Sequence, residues 1–141
     1  MTGDGPRRGI LDTSTVILLG DITDPTALPD ESVISAITLA ELSVGPHVAH
    51  GDDERGARQQ HLQQAEADFE VLPFDADCAR AFGGVAAALR ASGRKPAARA
   101  YDALIAASAI AHGVALYTCN PDDFRGIPRL ELHPIAHPDH R

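Results

Sequence analysis

The sequence predicts a single-domain α/β fold, a three-layer sandwich on a mostly parallel central sheet. Three observations predict it. Short apolar runs alternate with helix-prone segments along the chain, the pattern of strand–helix–strand units that build parallel sheets. The length, 141 residues, suits one ordinary core. Residues 100–113, AYDALIAASAIAHG, are apolar on almost every side after Asp102, which marks a buried helix.

The elements follow in order. Residues 1–9, MTGDGPRRG, are expected to form a flexible leader, since two arginines stand there without the apolar stretch of a signal peptide. GILDTS opens with a short strand and a turn, and STVILLGD continues as a short helix capped by Thr13 or Ser14. A second strand is expected over residues 33–37, followed by a helix that begins at Thr38 and bends or ends at Gly45-Pro46. The polar stretch 52–69 is helix-prone and leads to a brief third strand at Val71 and Leu72. DADCARAFGGVAAALRASG reads as an Ala-rich helix with Asp75 as its N-cap and Gly93 as its stop. Gly113 ends the helix of 100–113, where His112 is expected to meet the terminal carbonyls. VALYT, residues 114–118, is a strand of the buried type; CNPDDF turns, and LELHPI supplies the last strand. The domain therefore spans 10–135, and residues 136–141 are expected to be a disordered tail.

Composition narrows the function. An apolar fraction of 44% with 23% charged residues is that of a soluble globule, and no apolar run is long enough to span a bilayer; a cytoplasmic location is expected. Cys78 and Cys119 lack the spacing of a disulfide scaffold or a zinc site and read as small buried apolar groups. His133, His137 and His140 fall in a Pro-rich tail that does not preorganise ligands. A formal net charge of −8 argues against nucleic-acid binding unless charge is distributed unevenly. It is: Arg90, Arg94, Lys95 and Arg99 cluster in RASGRKPAAR, just before Asp102. This segment is expected to form a lip that faces RNA.

In an open parallel sheet, function sits at the carboxyl ends of the strands. Asp12 follows the first strand, Glu41 lies in the helix after the second, Asp102 begins a helix antiparallel to VALYT, and Asp123 follows VALYT. All four are directed to one rim. Like charges about 4 Å apart repel by roughly 4 kcal/mol at an effective dielectric near 20, whereas a helix N-terminus returns only ~0.3–1 kcal/mol. Either the acids stay apart, or some are protonated, or a cation joins them. Oxygen ligands with no nearby His or Cys favour Mg²⁺ or Mn²⁺, ions that also take up phosphate oxygens. Ser14, Thr118 and Asn120 are placed to orient the acids.

Taken together, ILDTSTVI, ITLAEL, AYDALIAASAIAHG and LYTCNPDDF resemble, in order, the four acidic motifs of the PIN-domain ribonucleases. They are more closely similar to the toxin subunit of bacterial VapBC toxin–antitoxin pairs. The resemblance implies that Asp12, Glu41, Asp102 and Asp123 are the catalytic and metal-binding acids, with Asp12 and Asp102 the firmest ligands. Glu41 would bind through water or help activate the nucleophile. Spacing to Asn120 and Phe124 favours Asp123 over its neighbour Asp122. Cys119 stands where such toxins usually carry a basic residue, which removes one local phosphate contact. The resemblance further implies a metal-dependent endoribonuclease that restrains translation, homodimers, and a cognate antitoxin that inserts a basic side chain among the acids and binds operator DNA.

Two rival readings remain, a doubly wound phosphatase or phosphoacceptor and a binding module. An aspartate-based phosphatase or phosphoacceptor also places Asp after the first strand, but the dehalogenase-like kind needs a second Asp where Ser14 stands. A degenerate nuclease fold kept as a binding module is the other; retention of all four acids argues against it.

Overall fold

Ile10 and Leu11 are adjacent, carry no exposed surface, and pack into different cores on opposite sides of one strand. That strand, β1 (Arg8–Leu11), is the middle of a five-stranded sheet. In the computed structural model, which describes residues 7–95 and 99–139, the order is β3-β2-β1-β4-β5. The other strands are β2 (Glu31–Ser35), β3 (Glu70–Leu72), β4 (Ala115–Thr118) and β5 (Leu132–Pro134). Every pairing is parallel, with Ile10 opposite both Val33 and Leu116. β1 and β4 are buried on both faces, which is why they read as continuous apolar runs.

On one face Ile10, Val33, Leu72 and Leu116 meet α4 (Ala76–Ala91) and α5 (Ala100–His112). On the other, Leu11, Tyr117 and Ile34 meet α1 (Thr13–Ile17), α2 (Ala36–Val44) and α3 (Asp52–Asp68). Two helical layers thus enclose the sheet. The Ala-rich turns of α5 place Ala103, Ile105, Ala106, Ala107 and Ala109 at zero exposure. Its buried Ser108 is satisfied by Leu104 O and by Ser35 Oγ, both at 3.1 Å. Gly113 closes the helix at φ +68°, a left-handed conformation that favours glycine. Among the described residues no helix is long and apolar enough to cross a membrane.

Several boundaries differ from expectation for local reasons. The second strand stops at Ser35, whose hydroxyl accepts the Ile37 amide at 3.0 Å and starts α2 two residues before Thr38. The N-cap of α1 is Asp12, not Thr13 or Ser14. His112 does not meet its own helix end; its Nε2 lies 2.9 Å from Pro73 O, tying α5 to the loop before α4. The expected leader overlaps the sheet: Arg8 and Gly9 are strand residues, and Arg8 pairs with Glu70 at 3.0 Å and Glu31 at 3.5 Å. Residues 1–6 lie outside the described part. So do 140–141; within the described part of the expected tail, 136–139, Pro138 is buried and Ala136 and Asp139 are exposed.

Candidate active site

Asp12 leaves β1 at its carboxyl end and is only 3% exposed. A buried carboxylate needs donors, and the next residues supply them. Thr15 Oγ1 donates to Oδ1; Ser14 Oγ donates to Oδ2 at 3.1 Å, and Thr118 Oγ1 at 3.0 Å. Each hydroxyl in turn accepts an N–H from the end of β4. Cys119 N–H donates to Thr15 Oγ1 at 3.0 Å, Asn120 N–H to Thr118 Oγ1 at 2.9 Å, and the Asn120 side-chain amide to Ser14 Oγ at 2.9 Å. With their lone pairs so used, the three hydroxyl protons point at Asp12. Burial still raises its carboxyl above the ordinary value, against the pull of these hydroxyl bonds.

Glu41 projects from the second turn of α2. Its Oε1 accepts the Thr13 hydroxyl at 2.6 Å, and that hydroxyl also lies 3.0 Å from Thr38 Oγ1. Burial raises the Glu41 carboxyl, the Thr13 bond lowers it, and the charge of Asp12 adds a further upward push.

Asp102 stands in the first turn of α5 and is the acid that feels all the others. Burial first, then the charges of Asp123, Asp12 and Glu41, push its carboxyl up to about 6, against Arg99 alone. Asp123 lies in the short turn after β4 and accepts Arg99 Nη1 at 2.7 Å. Asp122 turns the other way, to Arg125. The four acids therefore share one rim, at the carboxyl ends of β1 and β4.

The basic segment is arranged differently from an open lip. Arg94 donates to the carbonyls of Asp122 at 3.3 Å and Asp123 at 3.2 Å, and to that of Arg125. Arg99 bridges Asp123 and Asp102, the latter at 3.9 Å. Arg90 and Lys95 remain exposed, and residues 96–98 lie outside the described part. Thr13, Thr15 and Thr38 belong to the site although sequence reasoning passed over them; the hydroxyl run directly after Asp12 was the signal for the first two.

The donor set is carboxylate and hydroxyl oxygen throughout, the chemistry of a hard divalent cation. Among the described residues no three acids stand in ready-made ligand geometry.

Residues 10–130 match the PIN domain family. The chain is 37% identical over 124 residues to Ribonuclease VapC5 of Mycobacterium tuberculosis, covering 86% of this chain and 89% of that one. It is 31% identical over 126 residues to Ribonuclease VapC of Rickettsia bellii, covering 87% and 92%. Among solved structures it superposes on VapBC-5 of Mycobacterium tuberculosis, from the VapBC family of toxin–antitoxin systems. That match has a TM-score of 0.78 and 35% identity, over 92% of this chain and 100% of that chain. VapBC2 from Rickettsia felis, solved with a DNA fragment from its promoter, gives a TM-score of 0.70 at 27% identity, over 91% and 98%. The match runs through all four acidic segments, and the chain belongs to the PIN-domain family, in its VapC branch.

Proposed function

We propose that this chain is an endoribonuclease toxin, dependent on Mg²⁺ or Mn²⁺, that hydrolyses RNA phosphodiester bonds, restrains translation in the cytoplasm and is neutralised by a cognate antitoxin. A homodimer within a larger toxin–antitoxin complex completes the reading. The observation that carries it is Asp102, a half-buried acid whose carboxyl is raised first by burial and then by three other acids drawn from separate elements. So concentrated a negative charge at the rim of a soluble fold calls for a cation.

Asp12 and Asp102 would hold the ion, with Glu41 beside them and Asp123 as the fourth acid. When bound, such an ion lowers the pKa of water and stabilises negative charge on phosphate oxygens. The chain's own residues do the rest. The hydroxyls of Ser14, Thr15 and Thr118 fix both oxygens of Asp12 in one orientation. Thr13 fixes Oε1 of Glu41 and leaves Oε2 to accept the proton of the attacking water. As water attacks phosphorus, one P–O ester bond breaks and the leaving ribose oxygen takes a proton. Burial, which raises the Glu41 carboxyl, makes it a stronger proton acceptor than an ordinary glutamate.

The test is cleavage of total cellular RNA by the purified chain, with and without chelator. Chelator abolishes cleavage, and Asp12→Asn and Asp102→Asn each lower it by at least about a hundredfold, since ion chemistry supplies several kcal/mol. Cleavage that persists in chelator, or in both variants, overturns the assignment.

A further inference from the structure

The four acids are not equivalent in how they are held. Asp12 is held by three hydroxyls and Glu41 by one. Asp123 is held by a full positive charge, Arg99 Nη1 at 2.7 Å, and the same nitrogen lies 3.9 Å from Asp102. Among the described residues Arg99 is the one cation within ion-pair distance of any of these acids. Its position is set from both ends. Arg99 precedes α5 directly, and the turn that carries Asp123 is clamped from below by Arg94 through the carbonyls of Asp122 and Asp123.

A second divalent ion on the Asp102–Asp123 side would have to share those oxygens with a guanidinium that does not lose its proton. Nor do three acids close round one point among the described residues. On the reading of the site given above, we propose that Arg99 takes the place of a second divalent ion. The chain binds one ion on the Asp12 side. Asp123 anchors the guanidinium and is not itself a metal ligand. A guanidinium has five N–H donors, so one engaged on Asp123 still offers a paired face to a phosphate. Arg99 is then a substrate-binding cation inside the acidic rim, not part of an outer lip.

The experiment is calorimetric titration of MnCl₂ into the full chain, freed of antitoxin and of metal, near neutral pH. Variants are Arg99→Gln, Arg99→Lys, Asp123→Asn and Asp12→Asn, each checked for fold by far-ultraviolet circular dichroism. The Arg99 side chain is 42% exposed, so its replacement leaves the core intact. The wild type is expected to take one Mn²⁺ per chain, Arg99→Gln to admit a second, and Arg99→Lys to stay at one. Asp123→Asn should change the Mn²⁺ dissociation constant by less than about threefold, where even losing the hydrogen-bond partner of a metal ligand weakens binding by roughly 10–100-fold and losing a ligand itself costs no less. Two ions in the wild type, one in Arg99→Gln, or a tenfold or greater weakening in Asp123→Asn overturns the proposal. In those cases, loss of Mn²⁺ binding in Asp12→Asn leaves the metal-dependent nuclease intact. If Asp12→Asn binds Mn²⁺ as the wild type does, or no protein binds it, the metal reading falls too.

Discussion

Removing a buried charge should stabilise this protein, provided the metal is absent. Asp102 is the place to do it. Its carboxyl is moved from 3.8 to about 6, chiefly by burial and then by Asp123, Asp12 and Glu41. Such a shift carries about 3 kcal/mol against the charged form. The side chain is 29% exposed, and solvent screening reduces this to about 1–2 kcal/mol. Because the folded pKa stands above the unfolded one, the group's contribution to stability is complete below about pH 4 and is lost as pH rises through about 6. Asp102→Asn escapes that loss. In chelator at about pH 7.5 the variant should melt about 3–6 °C above the wild type, and near pH 4 the two should coincide. Thermal melts followed by circular dichroism across this range provide the assay. Mn²⁺ at a hundred times its dissociation constant should then raise the wild type by about 2.7 kcal/mol and leave the variant nearly unmoved, reversing their order. A wild type at least as stable as the variant at pH 7.5 in chelator, or a gap that does not close on acidification, refutes the reasoning.

Thr118→Val should cost about 1–3 kcal/mol in urea titration, because it takes a donor from Asp12 and an acceptor from the Asn120 amide. The loss should grow with pH, as Asp12 ionises; an unchanged midpoint would deny the hydroxyl its role. Gly9→Ala would place a methyl 2.4 Å from the Tyr117 ring and 2.9 Å from Pro29 Cβ, whereas Gly20→Ala meets nothing within 4 Å. Overpacking should destabilise the first by about 1–3 kcal/mol and spare the second, and equal melting temperatures would show that β1 has more room than described.

The fold was legible because β1 and β4 are apolar runs closed by a polar residue, Asp12 and Thr118, and the stops at Gly93 and Gly113 stand where the helices end. The acids were legible for the same reason: Asp12 and Asp123 follow strands, so topology alone directs them to one edge. What escaped was whatever depends on a partner far along the chain. Thr13, Ser14 and Thr15 look alike as caps in sequence; only the arrival of residues 118–120 makes Ser14 and Thr15 donors to Asp12 and leaves Thr13 to Glu41. Arg99 read as part of a basic lip facing RNA, because nothing local shows that Asp123, 24 residues on, receives it. Ser35 misled by length: a serine ends a strand or caps a helix equally well until its Oγ is seen on the Ile37 amide.

The neighbour that β1 needs is made late. Asp12 emerges early in synthesis, but Thr118, which helps hold it, lies 106 residues further on, and β4 must slot between β1 and β5 before the rim exists. A nascent chain can collapse around β1, β2 and β3, yet it carries Asp12 without Asp102, Asp123 or the strand end that orients them. The acidic rim therefore comes into being only when the far part of the chain folds back onto β1.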